Sequence, residues 1–245
     1  MKAKNFFSAV SIVLAMALTF SCSSDDDGGG NENGGGDGGS VAYEGQTYKT
    51  VKIGTQTWFA ENLNYDVAGS KCYGEDGEVY NEHGNIELSN AEVQANCDKY
   101  GRLYDWPMAM ALPSSCNENS CSSQIQPKHK GICPSGWHVP SNDDWDVLIN
   151  QVGGDETAGK HLKSRSGWEP YSGIENLDTY GFSALPGGWD SDGSFYRVGN
   201  GGIWWSASEI NSHVAYGWRM DYNYDSANWV YSDKYSLDSV RCLQD

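Results

Sequence analysis

The pattern of hydrophobic and polar positions divides the chain into three parts. Residues 6–20 are mainly apolar, whereas residues 28–40 contain only glycine and polar residues. From residue 43 onward, apolar and polar positions alternate in short runs that are separated by turn-forming residues. Such a pattern predicts short strands and short helices in one folded region, preceded by a segment that cannot form a core.

The first half of the folded region predicts one hairpin and two loops. Residues 45–63 alternate in polarity around Gly54 and Thr55, as the two strands of a β-hairpin do. Residues 69–85 and 113–130 are polar and rich in turn formers, so we expect loops there.

The clearest helix start is at Ser141. Asp144 follows three residues later, as a capping box requires, and Trp145 and Leu148 then lie on one apolar face. Pro140 keeps the entering chain extended. Other short helices are expected at residues 89–97 and 156–163, and a further one is expected to begin near Pro107.

From residue 181 the pattern changes to short strands. We expect strands at residues 182–185, 195–198, 203–208, 214–220, 227–231 and 237–243, with turns at 187–188 and 190–193. Helices early and a strand meander late predict an α+β fold.

The N-terminus has the features of an export signal. Lys2 and Lys4 precede the apolar run, and Ser21 then stands directly before Cys22, as in a bacterial lipobox. We therefore interpret residues 1–21 as a lipoprotein signal peptide and Cys22 as the lipidated residue. An ordinary secretory signal is the alternative.

Residues 22–42 are expected to be an acidic, glycine-rich linker to a domain at residues 43–245. The Ser-Ser-Asp-Asp-Asp run at residues 23–27 resembles the surface-export signal of Bacteroidetes lipoproteins. We therefore expect a lipid-anchored protein of the outer membrane, exposed at the cell surface, whose membrane contact is the anchor. The alternative interpretation is that this acidic run is a flexible tether without an export signal.

Composition narrows the possible functions. The formal net charge is −17, which argues against nucleic acid as a partner because phosphate neutralisation needs clustered Lys and Arg. Ten Trp and fifteen Tyr compensate for few aliphatic residues, so aromatic side chains must form much of the core.

Six cysteines remain once Cys22 is set aside, and an exported protein meets oxidising conditions. Fifteen pairings are possible, and loop lengths favour Cys72–Cys97, Cys116–Cys121 and Cys133–Cys242. A zinc site is the rival, but paired CxxC motifs are absent and the five histidines are far apart in sequence. We expect no metal and no cofactor.

Seven segments of the chain together resemble a known family. They are VKIGTQTWFAENLNY (51–65), KCY to CDKYGRLYDW (71–106), GICPSGWHVPSNDDWDVL (131–148), GFSALPGG (181–188), DGSF (192–195), IWWSAS (203–208) and SVRCL (239–243). In this order they closely resemble the Fibrobacter succinogenes major paralogous domain, over residues 43–245. The resemblance implies surface or secreted proteins, often lipoproteins, without an established biochemical activity.

More distantly, the layout is similar to the C-type lectin and sulfatase-modifying-factor fold. The functional motifs that this similarity implies are missing from the sequence. They are the calcium-binding tripeptides of the lectins, the paired C-terminal cysteines of the sulfatase-modifying enzymes, and the His-x-x-x-His-x-Glu set of the related iron enzymes. The acidic segment at 221–226 has Ser where a calcium loop has Gly at position 6 and Glu at position 12, and the segment that starts at Asp190 has Gly201 at position 12. Both segments therefore predict hairpin turns. We therefore expect no enzymatic activity.

Aromatic residues are the remaining candidates for ligand contact. Ten of them lie within residues 189–229, where neighbouring Asp, Asn and Ser could bond sugar hydroxyls. Core packing is the competing interpretation. The predicted ligand-binding residues are Trp189, Trp204, Trp218, Tyr222 and Trp229. The sequence thus favours a surface binding or display module for carbohydrate, or alternatively a protein-adhesion or structural coat protein.

Overall fold

A computed structural model describes residues 38–81 and 84–245. The predicted signal peptide, Cys22 and most of the predicted linker lie outside the described residues. Residues 40–42, which the sequence assigned to the linker, form a strand instead. Within the described residues, none of the helices is long and apolar enough to span a membrane.

Twelve strands and four α-helices are found in the described part of the chain. The strands are β1 (Ser40–Tyr43), β2 (Gln46–Ile53), β3 (Gln56–Phe59), β4 (Glu78–Asn81), β5 (Gly84–Ile86), β6 (Trp137–His138), β7 (Gly187–Ser191), β8 (Ser194–Val198), β9 (Gly201–Glu209), β10 (Val214–Asp221), β11 (Ala227–Asp233) and β12 (Leu243–Gln244). The helices are α1 (Asn90–Tyr100), α2 (Trp106–Ala109), α3 (Asn142–Gln151) and α4 (Asp155–Leu162). Short 3₁₀ turns occur at Ser114–Asn117 and Ser122–Gln124.

The strands form two sheets. The smaller sheet has the order β1-β2-β3-β12-β6 and is antiparallel, so the last strand joins the first hairpin. The larger sheet has the order β11-β10-β9-β7-β8-β4-β5, with parallel pairing between β7 and β9 and between β4 and β8. The α+β class is confirmed, but the C-terminal half is not a simple meander.

Local signals place several elements where the sequence predicts them. Ser141 accepts a hydrogen bond from the Asp144 amide, and the Asp144 side chain accepts one from the Ser141 amide, so the capping box of α3 is complete. The β2–β3 hairpin turns at Gly54, which has φ +59°. Both features depend on residues close in sequence, which explains why they were predictable.

Four predictions of secondary structure were wrong. Residues 69–85, predicted as a loop, contain β4 and the start of β5, because Glu78–Tyr80 pair with the distant β8. Residues 187–188, predicted as a turn, begin strand β7 instead. Gly188 has φ +68°, and a Cβ atom at this position would overlap the carbonyl oxygen of Tyr196 on the neighbouring strand. Residues 182–185 and 237–243 form mostly isolated bridges.

Strand β9 separates two aromatic core clusters. Trp205 lies in one cluster, and its indole N–H donates to the carbonyl oxygen of Tyr104 at 2.6 Å. Trp204 lies in the other, with Trp58 and Trp145. Because adjacent strand residues point to opposite faces, a Trp-Trp pair can fill both cores only where the sheet is covered on both sides.

Disulfides connect the loops to this core. The structure contains Cys72–Cys97, Cys116–Cys121 and Cys133–Cys242, which are the predicted pairs. The last pair spans 109 residues and joins the segment before β6 to the segment before β12. It therefore ties the end of the chain to its middle.

Candidate functional site

Two of the five predicted ligand-binding residues belong to the core. Trp204 is 0% exposed and donates its indole N–H to the Asn62 side chain at 2.8 Å. Trp218 is 2% exposed and donates to the Asn142 side chain at 3.0 Å. The prediction was wrong for both, because elements distant in sequence cover these rings and satisfy their polar atoms.

The other two tryptophans have different surroundings. Trp189 is half-buried, and the Arg219 guanidinium lies 4.8 Å from its ring centre, so one face of the ring is covered. Trp229 is 48% exposed and contacts Tyr216 and Tyr231, with ring centres 5.8 and 5.2 Å away. We name Tyr216, Trp229 and Tyr231 the edge cluster.

The fifth predicted residue, Tyr222, lies in a cleft with four other tyrosines, of which only Tyr73 is fully buried. This tyrosine cleft has a volume of about 1180 Å³. Tyr171 meets Tyr222 at 5.5 Å with perpendicular rings, and Tyr80 meets Tyr196 at 5.6 Å. Tyr80 and Tyr171 are 57% and 50% exposed, so both pairs present ring surface to a ligand.

Four segments distant in sequence carry the two tyrosine pairs of the cleft. The parallel pairing of β4 with β8 sets Tyr80 beside Tyr196. The Glu169 amide donates to the Gly199 carbonyl at 2.8 Å, which holds the loop that carries Tyr171. The Tyr222 amide donates to the Asn200 carbonyl at 2.8 Å. Backbone hydrogen bonds therefore fix the positions of the rings.

A buried lysine supports the segment that carries Tyr222. The Lys163 ammonium donates to the carbonyl oxygens of Asp221 at 3.0 Å and Tyr224 at 2.6 Å, and lies 5.2 Å from the ring centre of Trp168. Burial lowers the pKa of Lys163 to about 8, while Asp225 and Asp221 oppose that change. The ammonium thus holds this turn at neutral pH.

Polar side chains also line the tyrosine cleft. They are Glu92, Asn96, Glu169, Arg197 and Asn200. Arg197 has a left-handed backbone (φ +66°), and its guanidinium lies 3.8 Å from the Asp221 carboxylate. The cleft thus combines flat apolar rings with amide, carboxylate and guanidinium groups that can bond hydroxyls.

Sequence reasoning did not select Tyr80, Tyr171 or Tyr196 as ligand-binding residues. Tyr80 lies in a segment interpreted as a loop, and Tyr171 follows Pro170 in a stretch without periodicity. Their relation appears only through the parallel β4–β8 pairing and the loop contact at Gly199. A local pattern carries no signal for such contacts.

The acidic segments show no sign of a metal centre. Across residues 38–81 and 84–245, no group of three or more His, Cys, Asp or Glu side chains is placed to hold a metal ion. The turn predicted at 190–193 is confirmed for Asp192 and Gly193, whereas Asp190 and Ser191 end strand β7. The Asp221 carboxylate forms an ion pair with Arg219, whose Nη2 donates to Oδ1 at 2.8 Å and whose Nε lies 2.8 Å from Oδ2.

Comparison with known proteins identifies the family. No curated protein and no solved structure matches this chain. A family model described as the Fibrobacter succinogenes major domain matches residues 51–244, which is most of the chain and includes strands β3 to β12, the three disulfides and the tyrosine cleft. The chain therefore belongs to the Fibrobacter succinogenes major domain family.

Proposed function

We propose that this protein is a cell-surface binding module whose tyrosine cleft contacts carbohydrate. The observation that carries the proposal is two pairs of rings, each with one exposed and one half-buried tyrosine, in a cleft that amide and charged side chains also line: Tyr171 with Tyr222, and Tyr80 with Tyr196. Sugar rings have apolar faces that stack on aromatic rings, and equatorial hydroxyls that need such polar partners. The net charge of −17 favours neutral over anionic glycans.

The carboxylates of the tyrosine cleft favour carbohydrate binding over carbohydrate hydrolysis. Glu92 and Glu169 line it, but the Glu92 carboxylate accepts hydrogen bonds from the Ser89 hydroxyl at 2.7 Å and the Ser89 amide at 2.9 Å. These bonds lower the pKa of Glu92 and engage it in the cap of α1. Glycoside hydrolysis generally needs a pair of free carboxyl groups, so we infer a non-enzymatic role.

A glycan array followed by calorimetry tests the carbohydrate proposal. Tyr171→Ala should weaken binding of any array ligand by about 5- to 30-fold, because one stacked ring contributes about 1–2 kcal/mol. Tyr235→Ala removes an exposed ring outside the tyrosine cleft and is the matched control. A folded protein that binds no glycan on the array, or equal losses in both variants, would contradict the proposal.

The location and fold belong to the same proposal. The lipobox-like Ser21-Cys22 and the acidic run after it support acylation at Cys22 and display on the outer membrane. Mass spectrometry of the mature N-terminus and protease treatment of intact cells test both. A C-type lectin-like fold is supported by α3 after a cysteine-bearing segment, the Trp-Trp-Ser strand β9, and the Cys133–Cys242 bond.

Protein adhesion is the second candidate function. The edge cluster favours it, because exposed Trp and Tyr side chains are typical of protein interfaces. Its rings are tilted against one another by 76° and 59°, so a flat polysaccharide surface would contact only one ring at a time.

A further inference from the structure

Strand β11 is an exposed edge of the large sheet. It pairs with β10 over all seven of its residues without a bulge, and in the described part of the chain no strand lies on its other side. Tyr231 is 67% exposed and Trp229 is 48% exposed. Long, regular edges with exposed apolar residues are sites where another strand can add.

Features that usually protect an edge strand are nearly absent from β11. Its sequence, ANWVYSD, contains no Pro and no Lys, and its single charged residue, Asp233, is the last. Helix α4 lies next to the start of the strand, since the Lys160 amide donates to the Asp225 carbonyl at 2.9 Å. The accessible part of the edge therefore lies toward the end of β11.

We propose that β11 pairs antiparallel with β11 of a second copy of this chain, around a twofold axis at Val230. This register sets Trp229 opposite Tyr231 of the other copy, twice, and joins the two edge clusters on one face. The ladder runs from Asn228 to Ser232, clear of the buried Ala227 beside α4, and contains no charged residue, so no like charges face each other in it. A twofold contact needs such self-complementarity.

The size of this contact predicts a weak dimer. An aromatic side chain offers about 150–250 Å², so the exposed parts of Trp229 and Tyr231 amount to roughly 500 Å² over two copies. That is less than half of a standard interface. Each copy also carries a formal charge of −17, so the copies repel each other at low salt. Association should therefore strengthen as salt is added.

Sedimentation equilibrium tests the proposal on the full mature chain with Cys22→Ser, exported so that its disulfides form. A monomer–dimer equilibrium is expected at protein concentrations up to roughly 100 µM, because so small an interface gives only weak association. The dissociation constant should fall as NaCl rises from about 0.05 to 0.5 M. Hydrogen exchange of β11 amides should slow as protein concentration rises, since the added strand bonds its free edge.

Two tyrosine variants separate this edge from the tyrosine cleft. Tyr231→Asp adds a carboxylate to each strand and should raise the dissociation constant at least ~10-fold. Tyr80→Asp makes the same change at a tyrosine of similar exposure on β4 and should leave dimerisation unaltered. A monomer at every concentration and salt, a dimer insensitive to Tyr231→Asp, or a dimer without slowed β11 exchange would overturn the proposal.

Discussion

Asp238 is a buried carboxyl group whose ionisation should oppose folding. It is fully buried, one of its oxygens accepts a hydrogen bond from the Ser232 hydroxyl at 2.7 Å, and the other has no partner among the described residues. Burial raises the pKa of Asp238 from its ordinary value of 3.8 to about 7; the Ser232 bond opposes the rise and the charge of Asp190 adds to it. Replacement by Asn keeps the shape and removes the charge.

The expected effect follows from the difference between the folded and unfolded pKa. A folded pKa of about 7 against 3.8 in the unfolded chain costs about 4 kcal/mol of stability above pH 7, at about 1.4 kcal/mol per pH unit. The folded state binds this proton more tightly, so the cost is absent below about pH 4 and grows as the pH rises to 7. Asp238→Asn should therefore be more stable than the wild type at pH 8.

Urea unfolding followed by tryptophan fluorescence, from about pH 4 to pH 8, measures this difference. The stability gained by Asp238→Asn should increase with pH and level off above about pH 7. Asp192→Asn, at an exposed acid in the nearby β7–β8 turn, is the control and should show no such trend. A gain that does not depend on pH, or a loss of stability at pH 8, would refute the reasoning.

Three further predictions concern the stability of the fold. Lys234→Met should cost about 3–5 kcal/mol in urea unfolding, because it leaves the buried Glu209 carboxylate without its ion pair, and Glu209→Gln added to it should recover part of that loss. Replacing Cys133 and Cys242 by Ala opens a loop of 109 residues and should cost about 4–5 kcal/mol, seen as a lower melting temperature. Gly188→Ala should lower the free energy of unfolding in urea by about 1–3 kcal/mol, because φ +68° is a strained conformation for Ala and the added Cβ would overlap the backbone of Tyr196.

Each of these predictions can fail in a definite way. An additive double variant would show that Lys234 and Glu209 are not coupled. An unchanged melting temperature without Cys133–Cys242 would mean that the disulfide does not restrict the unfolded chain. Wild-type stability in Gly188→Ala would show that β7 has room for a side chain.

Sequence alone determined the features that depend on neighbouring residues or on a small set of pairings. The capping box at Ser141 and the turn at Gly54 each involve a few consecutive residues, so their signals are local. The three disulfides are the set that loop lengths favoured among the fifteen possible pairings. The family was recognisable because its ordered segments include such structural residues.

Tertiary structure alone decided which aromatic residues a ligand could contact. Trp204 and Trp229 lie in similar strand patterns, yet the first is buried because both faces of β9 are covered, and the second is exposed on the edge strand β11. Tyr80 meets Tyr196 only because β4 pairs with a strand more than a hundred residues away in sequence. Exposure and proximity depend on what covers a residue in space, and hydrophobic periodicity carries no information about that.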